Sequence, residues 1–216
     1  PRPLGSGLIL QPVGLAVLDE IGRGARIRAL GAPIERLFGK AEPSGLVVLD
    51  VRYRALGPNK AGADKPNGLA VHRGALFQVL YDAAVASGVE MVASHEVVGS
   101  DGDGRLMFAG GRTSAQFDLV IDALGVQSKL AHAAPISPLA YGALWASLDW
   151  PEAAGFDPAA LEQRYELARK MVGVLPIGRL PGALNRQAAF FWSLKHADHQ
   201  AWRARGLEAW KDEVLK

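Results

Sequence analysis

The chain has 216 residues, 49% hydrophobic and 21% charged, which is enough for one large domain or two small ones. A net charge of +2, a pI of about 9.0 and no block of like charges give no footprint for nucleic acid. Cysteine is absent, which excludes disulfides, thiolate catalysis and Cys-ligated metals, and fits a reducing, cytoplasmic setting. No apolar run approaches the length of a membrane span.

Residues 1–11 are Gly- and Pro-rich, with Gly5-Ser6-Gly7 leading into Leu8-Ile9-Leu10. Pro12 stands where a first helical residue would. Val13, Val17 and Ile21, with Leu18 beside them, predict a short amphipathic helix stopped at Gly22. Residues 25–40 are ambiguous. Residues 47–53 read as a strand, and 56–68 as a loop rich in Gly, Pro and Asn. A helix is predicted over 72–87, because Leu76, Val79, Leu80, Ala83 and Ala84 repeat at helical spacing and Gly88 ends it. Residues 89–98 read as a strand. Asp101-Gly102-Asp103-Gly104 is a turn, 105–108 a strand and Gly110-Gly111 a second turn.

Leu119, Val120 and Ile121 then form an apolar run ending at Asp122, with Ala123-Leu124-Gly125 and Ser128 after it. Such a run, bounded by a turn, reads as a buried strand of the parallel kind. Beyond Leu130, Pro135 and Pro138 break the chain and 141–149 reads as a strand. Asp157-Pro158 looks like a cap and first turn, with Leu161, Tyr165, Ala168 and Val172 on one helical face. Residues 174–177 and 188–194 read as strands around a Gly/Pro turn. Residues 202–216 are helical in part, interrupted by Gly206. No internal repeat is present.

A dinucleotide site needs a Gly-rich turn from a strand into a helix, so that backbone amides meet the pyrophosphate. Gly5-Ser6-Gly7 has no third glycine and no strand before it. Gly22-Arg23-Gly24 reads as ending a helix rather than starting one. Other chemistry is not spelled out. Ser128 has no Gly-x-Ser-x-Gly elbow and no assignable His or Asp partner. His196 and His199 sit at a spacing that a metal could use, but no carboxylate pattern completes a site, so they read as a solvated helix end.

The stretch from Asp118 to Ser128 resembles the "Asp-Leu-Val-Ile-x-Ala-x-Gly-x-x-Ser" strand of the FAD-dependent aromatic monooxygenases, the p-hydroxybenzoate hydroxylase-like family. Residues 5–12 resemble that family's loop and strand beside the flavin. Val71-His72-Arg73-Gly74-Ala75-Leu76 is similar to its "His-Arg-x-x-Leu" helix start, and 173–178 with 189–194 to its substrate-domain strands. The resemblance implies an α/β fold: a Rossmann-like FAD/NAD(P)-binding part and a mixed-sheet substrate domain, incomplete in this chain. It assigns 1–40 and 68–133 to the FAD-binding domain, and 41–67 and 134–216 to the substrate domain. It implies that Gln11, Arg73, Val97 and Gly125 meet FAD, with NAD(P)H as co-substrate. An arginine fork suits phosphate or carbonyl oxygens. Tyr141, Trp145 and Trp192, with Phe190, are candidates to line a pocket for a small organic, aromatic substrate, although aromatics in strands usually pack as core.

The implied reaction is hydroxylation of that substrate, and no residue is assigned a catalytic role. The family often has Asp-Gly where this chain has Leu124-Gly125. A flavin-dependent halogenase or reductase on the same fold therefore stays open, as does a truncated fold without cofactor. The family's Gly-rich phosphate turn and later Gly-Asp segment have no counterpart here, so the chain is expected to be a middle fragment. As a fragment it would be of low stability and would aggregate or dimerise, because its sheet would have an unpaired edge.

Overall fold

The computed structural model describes residues 5–57, 67–125, 127–130, 139–167 and 169–215. By its contacts the chain divides into two compact units, one of Val89–Pro138 and one joining Arg2–Gly88 with Leu139–Lys216. In the larger unit, β1 (Gly7–Leu10) runs through Gln11 into α1 (Pro12–Glu20) and α2 (Gly24–Leu30). Then come β2 (Ala32–Ile34), β3 (Arg36–Ala41), β4 (Val47–Arg52), a 3-10 turn at Tyr53–Leu56, β5 (Gly68–His72) and α3 (Arg73–Ala86). The smaller unit carries a hairpin of β6 (Val97–Ser100) and β7 (Leu106–Phe108). The larger unit resumes with β8 (Tyr141–Asp149), β9 (Ala160–Glu166), β10 (Lys170–Pro176), β11 (Gln187–Lys195) and α4 (His199–Val214).

The larger unit holds two sheets. One has the order β1-β5-β2 and is antiparallel throughout. The other has the order β4-β3-β9-β10-β11-β8 and is mixed, with β3 parallel to β9. This is an α/β chain with a mixed sheet, and among the described residues β3–β9 is the one parallel pairing between strands.

β1 and β5 are apolar on both faces because both faces are covered. On one side Leu8, Leu10, Leu69 and Val71 pack with Leu15 and Leu18 of α1, Ile27 of α2 and Val79 of α3. On the other side Ile9 and Ala70, with Ile34 of β2, meet Tyr53, Leu175, Ile177 and Ala189 from the six-stranded sheet and its margins. Ile27 and Val79 are fully buried, each contributing about 1.5–3 kcal/mol by transfer from water. Gly178 has φ +67 and sits so close to α2 that a Cβ would lie 1.9 Å from the Leu30 carbonyl oxygen. That approach lets Arg179 N–H donate to the same carbonyl at 2.8 Å, tying the β10–β11 connection to the helices.

Pro12 opens α1, Gly88 (φ +75) follows α3, and Gly206 (φ +82) kinks α4, as the sequence predicts. β8 and β4 form where strands are expected, and the β6–β7 hairpin turns at 101–104.

Four expectations are corrected. The inward face of α1 is Leu15 and Leu18, whereas Val13 is 77% exposed and Val17 and Ile21 are also exposed. β1 feeds straight into the helix through Gln11 and Pro12, and that junction sets the helix rotation. Gly24 starts α2 rather than ending a helix, although no strand precedes it. The helix predicted over 157–172 is the β9–β10 hairpin. Its apolar spacing also fits alternation: Leu161, Gln163 and Tyr165 face one side, and Glu162, Arg164 and Glu166 the other. Asp157 caps a turn into the strand, its Oδ1 accepting from Ala159 N–H at 2.8 Å.

The fourth correction concerns the smaller unit. Residues 89–96 are not strand, and neither are Leu119–Ile121, with Leu119 75% and Ile121 78% exposed. A parallel-type strand needs neighbours to satisfy its backbone, and the sheet described in this unit is a two-stranded hairpin. The loop at 58–66, Pro135, Pro138 and Ala168 lie outside the described residues. No helix among the described residues is long and apolar enough to cross a membrane.

Candidate functional site

The β1–β5 ladder places the start of α3 against the Gly5-Ser6-Gly7 segment, since Gly7 pairs with His72. His72 is buried at the N-cap of α3, and its Nδ1 accepts from Gly74 N–H at 2.9 Å. Nδ1 is therefore unprotonated in the fold, and burial holds the imidazole below its ordinary pKa. Arg73 N–H donates to the Ser6 carbonyl at 2.8 Å. The Arg73 side chain lies where a Cβ on Gly5 would be, 2.9 Å from its Cδ and 3.4 Å from Nη1, and Gly5 has φ +115. The Ser6 hydroxyl is buried with no partner among the described residues. One site thus gathers an exposed guanidinium, an unpartnered buried hydroxyl and a glycine cradle.

Gln11 sits at the other end of β1, about 15 Å away along the strand at the usual rise per residue. It makes no cap bond to α1. Instead Tyr53 Oη donates to Gln11 Oε1 at 2.9 Å, and burial of Tyr53 raises its pKa against the lowering effect of that bond. Gln11 and Arg73 flank β1 rather than touching.

Val97 and Gly125 belong to the smaller unit. Val97 is half-buried in β6 opposite Phe108. Gly125 (φ +86) accepts from Ser128 N–H at 2.9 Å, in a turn held by Asp122. Asp122 Oδ1 accepts from Leu124 N–H at 3.0 Å and Oδ2 from Ser128 Oγ at 2.6 Å. The Ser128 bond, then the backbone bond from Leu124, keep the Asp122 carboxyl below its usual range. Ser128 is thus a turn-closing hydroxyl, which explains it without nucleophilic chemistry.

The three candidate substrate residues divide between the two faces of the six-stranded sheet. Trp145 pairs with Phe191 and Tyr141 with Lys195, so they share one face. Trp192 pairs with Leu144 and points the other way, under α4. There Trp192 meets Trp210 edge-on at 5.9 Å, Phe190 meets it at 5.8 Å, and Lys170 Nζ stands 4.8 Å from the Trp192 ring centre. Phe190 and Trp192 are packing residues of that helix-covered face.

The face shared by Trp145 carries a row that follows from the register: Leu49, Gly39, Gln163, Gly173, Phe191 and Trp145 across β4, β3, β9, β10, β11 and β8. At one end this face is covered by the three-stranded sheet. In the row, Phe191 lies over Gly173 and Tyr165 over Gly39, where a Cβ would come within 2.1 Å and 2.5 Å of the rings. Trp145 is 53% exposed and its ring centre is 5.2 Å from that of Phe191. Gln163 is 8% exposed, with Oε1 accepting from Tyr165 Oη at 2.8 Å and Nε2 donating to Met171 Sδ at 3.2 Å. The helical reading of 157–172 hid Gln163 and Tyr165. Their alternation with Glu162, Arg164 and Glu166 was the signal that could have found them.

Among the described residues no group of three or more His, Asp or Glu could hold a metal, and His199 stacks on Trp202 at 5.9 Å.

No protein-family model matches the sequence, and no curated protein sequence matches it. Solved structures do match by fold. The tetrameric form of 2-methyl-3-hydroxypyridine-5-carboxylic acid oxygenase superposes with a TM-score of 0.66 at 18% identity, over 91% of this chain and 50% of that one. Klebsiella pneumoniae HpxO, in complex with FAD and uric acid, gives 0.61 at 18% identity over 89% and 48%. PqsL from Pseudomonas aeruginosa, a probable FAD-dependent monooxygenase, gives 0.60 at 14% identity over 93% and 53%. The chain spans about half the length of these structures. Over that half, this chain has the fold of the FAD-dependent monooxygenases.

Proposed function

We propose that the chain is part of an FAD-dependent, NAD(P)H-using monooxygenase that hydroxylates a small aromatic or heteroaromatic molecule. The observation that carries this reading is the site at the start of α3, taken with the fold. Arg73, the unpartnered Ser6 hydroxyl and the Gly5 cradle suit an anionic, hydrogen-bonding group. Bound FAD would supply the redox chemistry, taking electrons from NAD(P)H and activating O₂.

The protein's own part is to hold and orient. Arg73 and Ser6 would grip the cofactor, with Gln11 fixed by Tyr53 at the far end of β1. Val97 and the Gly125 turn are the further proposed contacts, from the smaller unit. We assign the cofactor-binding part, of Rossmann-like type, to 1–40 and 68–133. The substrate part is then 41–67 and 134–216, with Tyr141 and Trp145 on the face we assign to substrate and Trp192 as its support from behind. The fold likeness to a tetrameric oxygenase supports self-association. The absence of cysteine supports a cytoplasmic setting.

Turnover under ¹⁸O₂ with NAD(P)H and a panel of hydroxylated aromatic and heteroaromatic rings tests the reading. The expected result is one ¹⁸O atom in the organic product. Oxidation of NAD(P)H that never labels an organic product, across the panel, would overturn the monooxygenase assignment.

A further inference from the structure

The amides that open α3 are fastened outside the helix. His72 N–H donates to the Ile177 carbonyl at 3.0 Å, Arg73 N–H to the Ser6 carbonyl at 2.8 Å and Gly74 N–H to His72 Nδ1 at 2.9 Å. A helix leaves such donors without partners of its own, and here they tie its start to the end of β10 and to the Gly5-Ser6 segment. The third bond differs from the other two, because its acceptor titrates. An imidazole accepts at Nδ1 only while that nitrogen carries no proton. Protonation turns Nδ1 into a second donor facing Gly74 N–H, at a helix N-terminus whose dipole opposes positive charge. His72 is 8% exposed, so a charged ring moves out of its place rather than being solvated within it.

Leu69 and Val71 pack with the helices and Ala70 with the margin of the six-stranded sheet, so alternation along β5 turns His72 to the Ile177 side. Its ladder partner Gly7 lies on that side, where a Cβ would come 2.2 Å from Ile177 Cγ2. The exposed Arg73 side chain instead lies over Gly5. The ring thus acts on Arg73 through their shared backbone. Few charges lie near it among the described residues. β1 and β2 carry no titratable side chain, and neither do Leu175–Ile177 and Ala188–Ala189 across the core. Arg179, beyond Ile177, donates to the Ala29 and Leu30 carbonyls of α2. Tyr53 stands against Gly68 at the far end of β5 and donates to Gln11. On the helical side Asp19 pairs with Arg28 and Asp82 with Arg26, and Glu20 and Arg23 lie at the α1–α2 turn.

We propose that His72 is the positioning residue for Arg73: its neutral ring holds the start of α3, and its protonation lets Arg73 leave Gly5, so that an anionic ligand gripped there is released on acidification. Calling that ligand FAD rests on the proposed function, whereas the coupling of ring and helix start does not. Burial lowers the pKa of the ring, which places the release below the ordinary histidine value of about 6.5.

The test measures the dissociation constant of FAD by equilibrium dialysis, from about pH 8 to the lowest pH at which circular dichroism shows the chain folded. For the wild type it should be constant above about pH 6.5 and then rise, approaching tenfold per pH unit, the limit for one proton. His72→Asn keeps an acceptor that does not titrate, so it should match the wild type at neutral pH and remove the rise. His72→Ala should bind more weakly at every pH. Arg73→Ala should also remove the rise, because the proton acts through that side chain. A flat wild-type curve, tighter binding on acidification, or a rise that survives in His72→Asn or Arg73→Ala would each overturn the proposal.

A second readout needs neither a variant nor FAD. In NMR spectra of the wild type, the Gly74 amide and the Arg73 Nε–H should shift with the same midpoint as the His72 ring. A Gly74 amide that ignores the ring would also overturn the proposal. If both signals follow the ring but FAD binds at no pH, the cofactor reading fails and the positioning role stands. If FAD binds with a flat curve, the positioning role fails and the cofactor reading stands.

Discussion

Gly173→Ala tests the sheet face at one atom. An added Cβ would lie 2.1 Å from Phe191 Cζ, 2.5 Å from Cε1 and 2.8 Å from Cε2, so the ring must move. Phe191 is buried and packs against the tilted ring of Trp145, which leaves it little room. Overpacking of this kind costs about 1–3 kcal/mol. The smaller entropy of the unfolded chain offsets about 0.4–1 kcal/mol of that cost. The net loss is about 1–2 kcal/mol, a fall in Tm of roughly 2–8 °C for a chain of this size. Thermal and urea unfolding followed by circular dichroism measure it. Gly142→Ala on β8 is the matched control, because nothing among the described residues lies within 4 Å of the added atom, and it should be neutral or stabilising. In a double-mutant cycle, Gly173→Ala should cost little once Phe191 is replaced by Leu. If Gly173→Ala proves as benign as Gly142→Ala, the ring does not lie on Gly173 and the reasoning fails.

Two further outcomes follow from the structure. His72 is neutral and buried, and its folded pKa is lowered, so the unfolded chain binds more protons as pH drops below the ordinary value of about 6.5. Stability from this group is complete above that pH and is lost as pH falls towards the lowered folded value; His72→Asn keeps a capping side chain and should flatten that part of the stability–pH curve. Replacing Leu119 and Ile121 together by Ser should change Tm by no more than about 2 °C, because exposed positions tolerate such changes within about 0.5 kcal/mol; a loss of several kcal/mol would show that the run is packed.

What could be read from the sequence was what local pattern fixes. Tyr141 to Asp149 and Gln187 to Lys195 are long runs with turn signals at their ends, and both are strands. His72, helical spacing through Ala84 and Gly88 together mark α3, and Gly206 marks the break in α4. Spacing failed where it was degenerate. Leu161, Tyr165 and Val172 fit one helix face as well as they fit strands, and pairing with β3 and β10 decides between them. It failed again at Leu119–Ile121, because an apolar run becomes a strand only if other strands lie beside it. The site was legible in part. Arg73 could be picked out from its resemblance to a helix start, but not the unpartnered Ser6 hydroxyl beside it. The row through Gln163, Gly173 and Phe191 depends on register between strands far apart in sequence, which no local pattern carries.

The central claim is that the start of α3 holds FAD. Titrating the chain with FAD and following flavin fluorescence, for the wild type and for Arg73→Ala, tests it most directly. The wild type should show saturable quenching. Arg73→Ala should bind about 10- to 100-fold more weakly, the worth of a charge-assisted hydrogen bond of about 1.5–3 kcal/mol, with unchanged melting because the side chain is exposed. No saturable binding by the wild type, or equal affinity in the two proteins, would contradict the account.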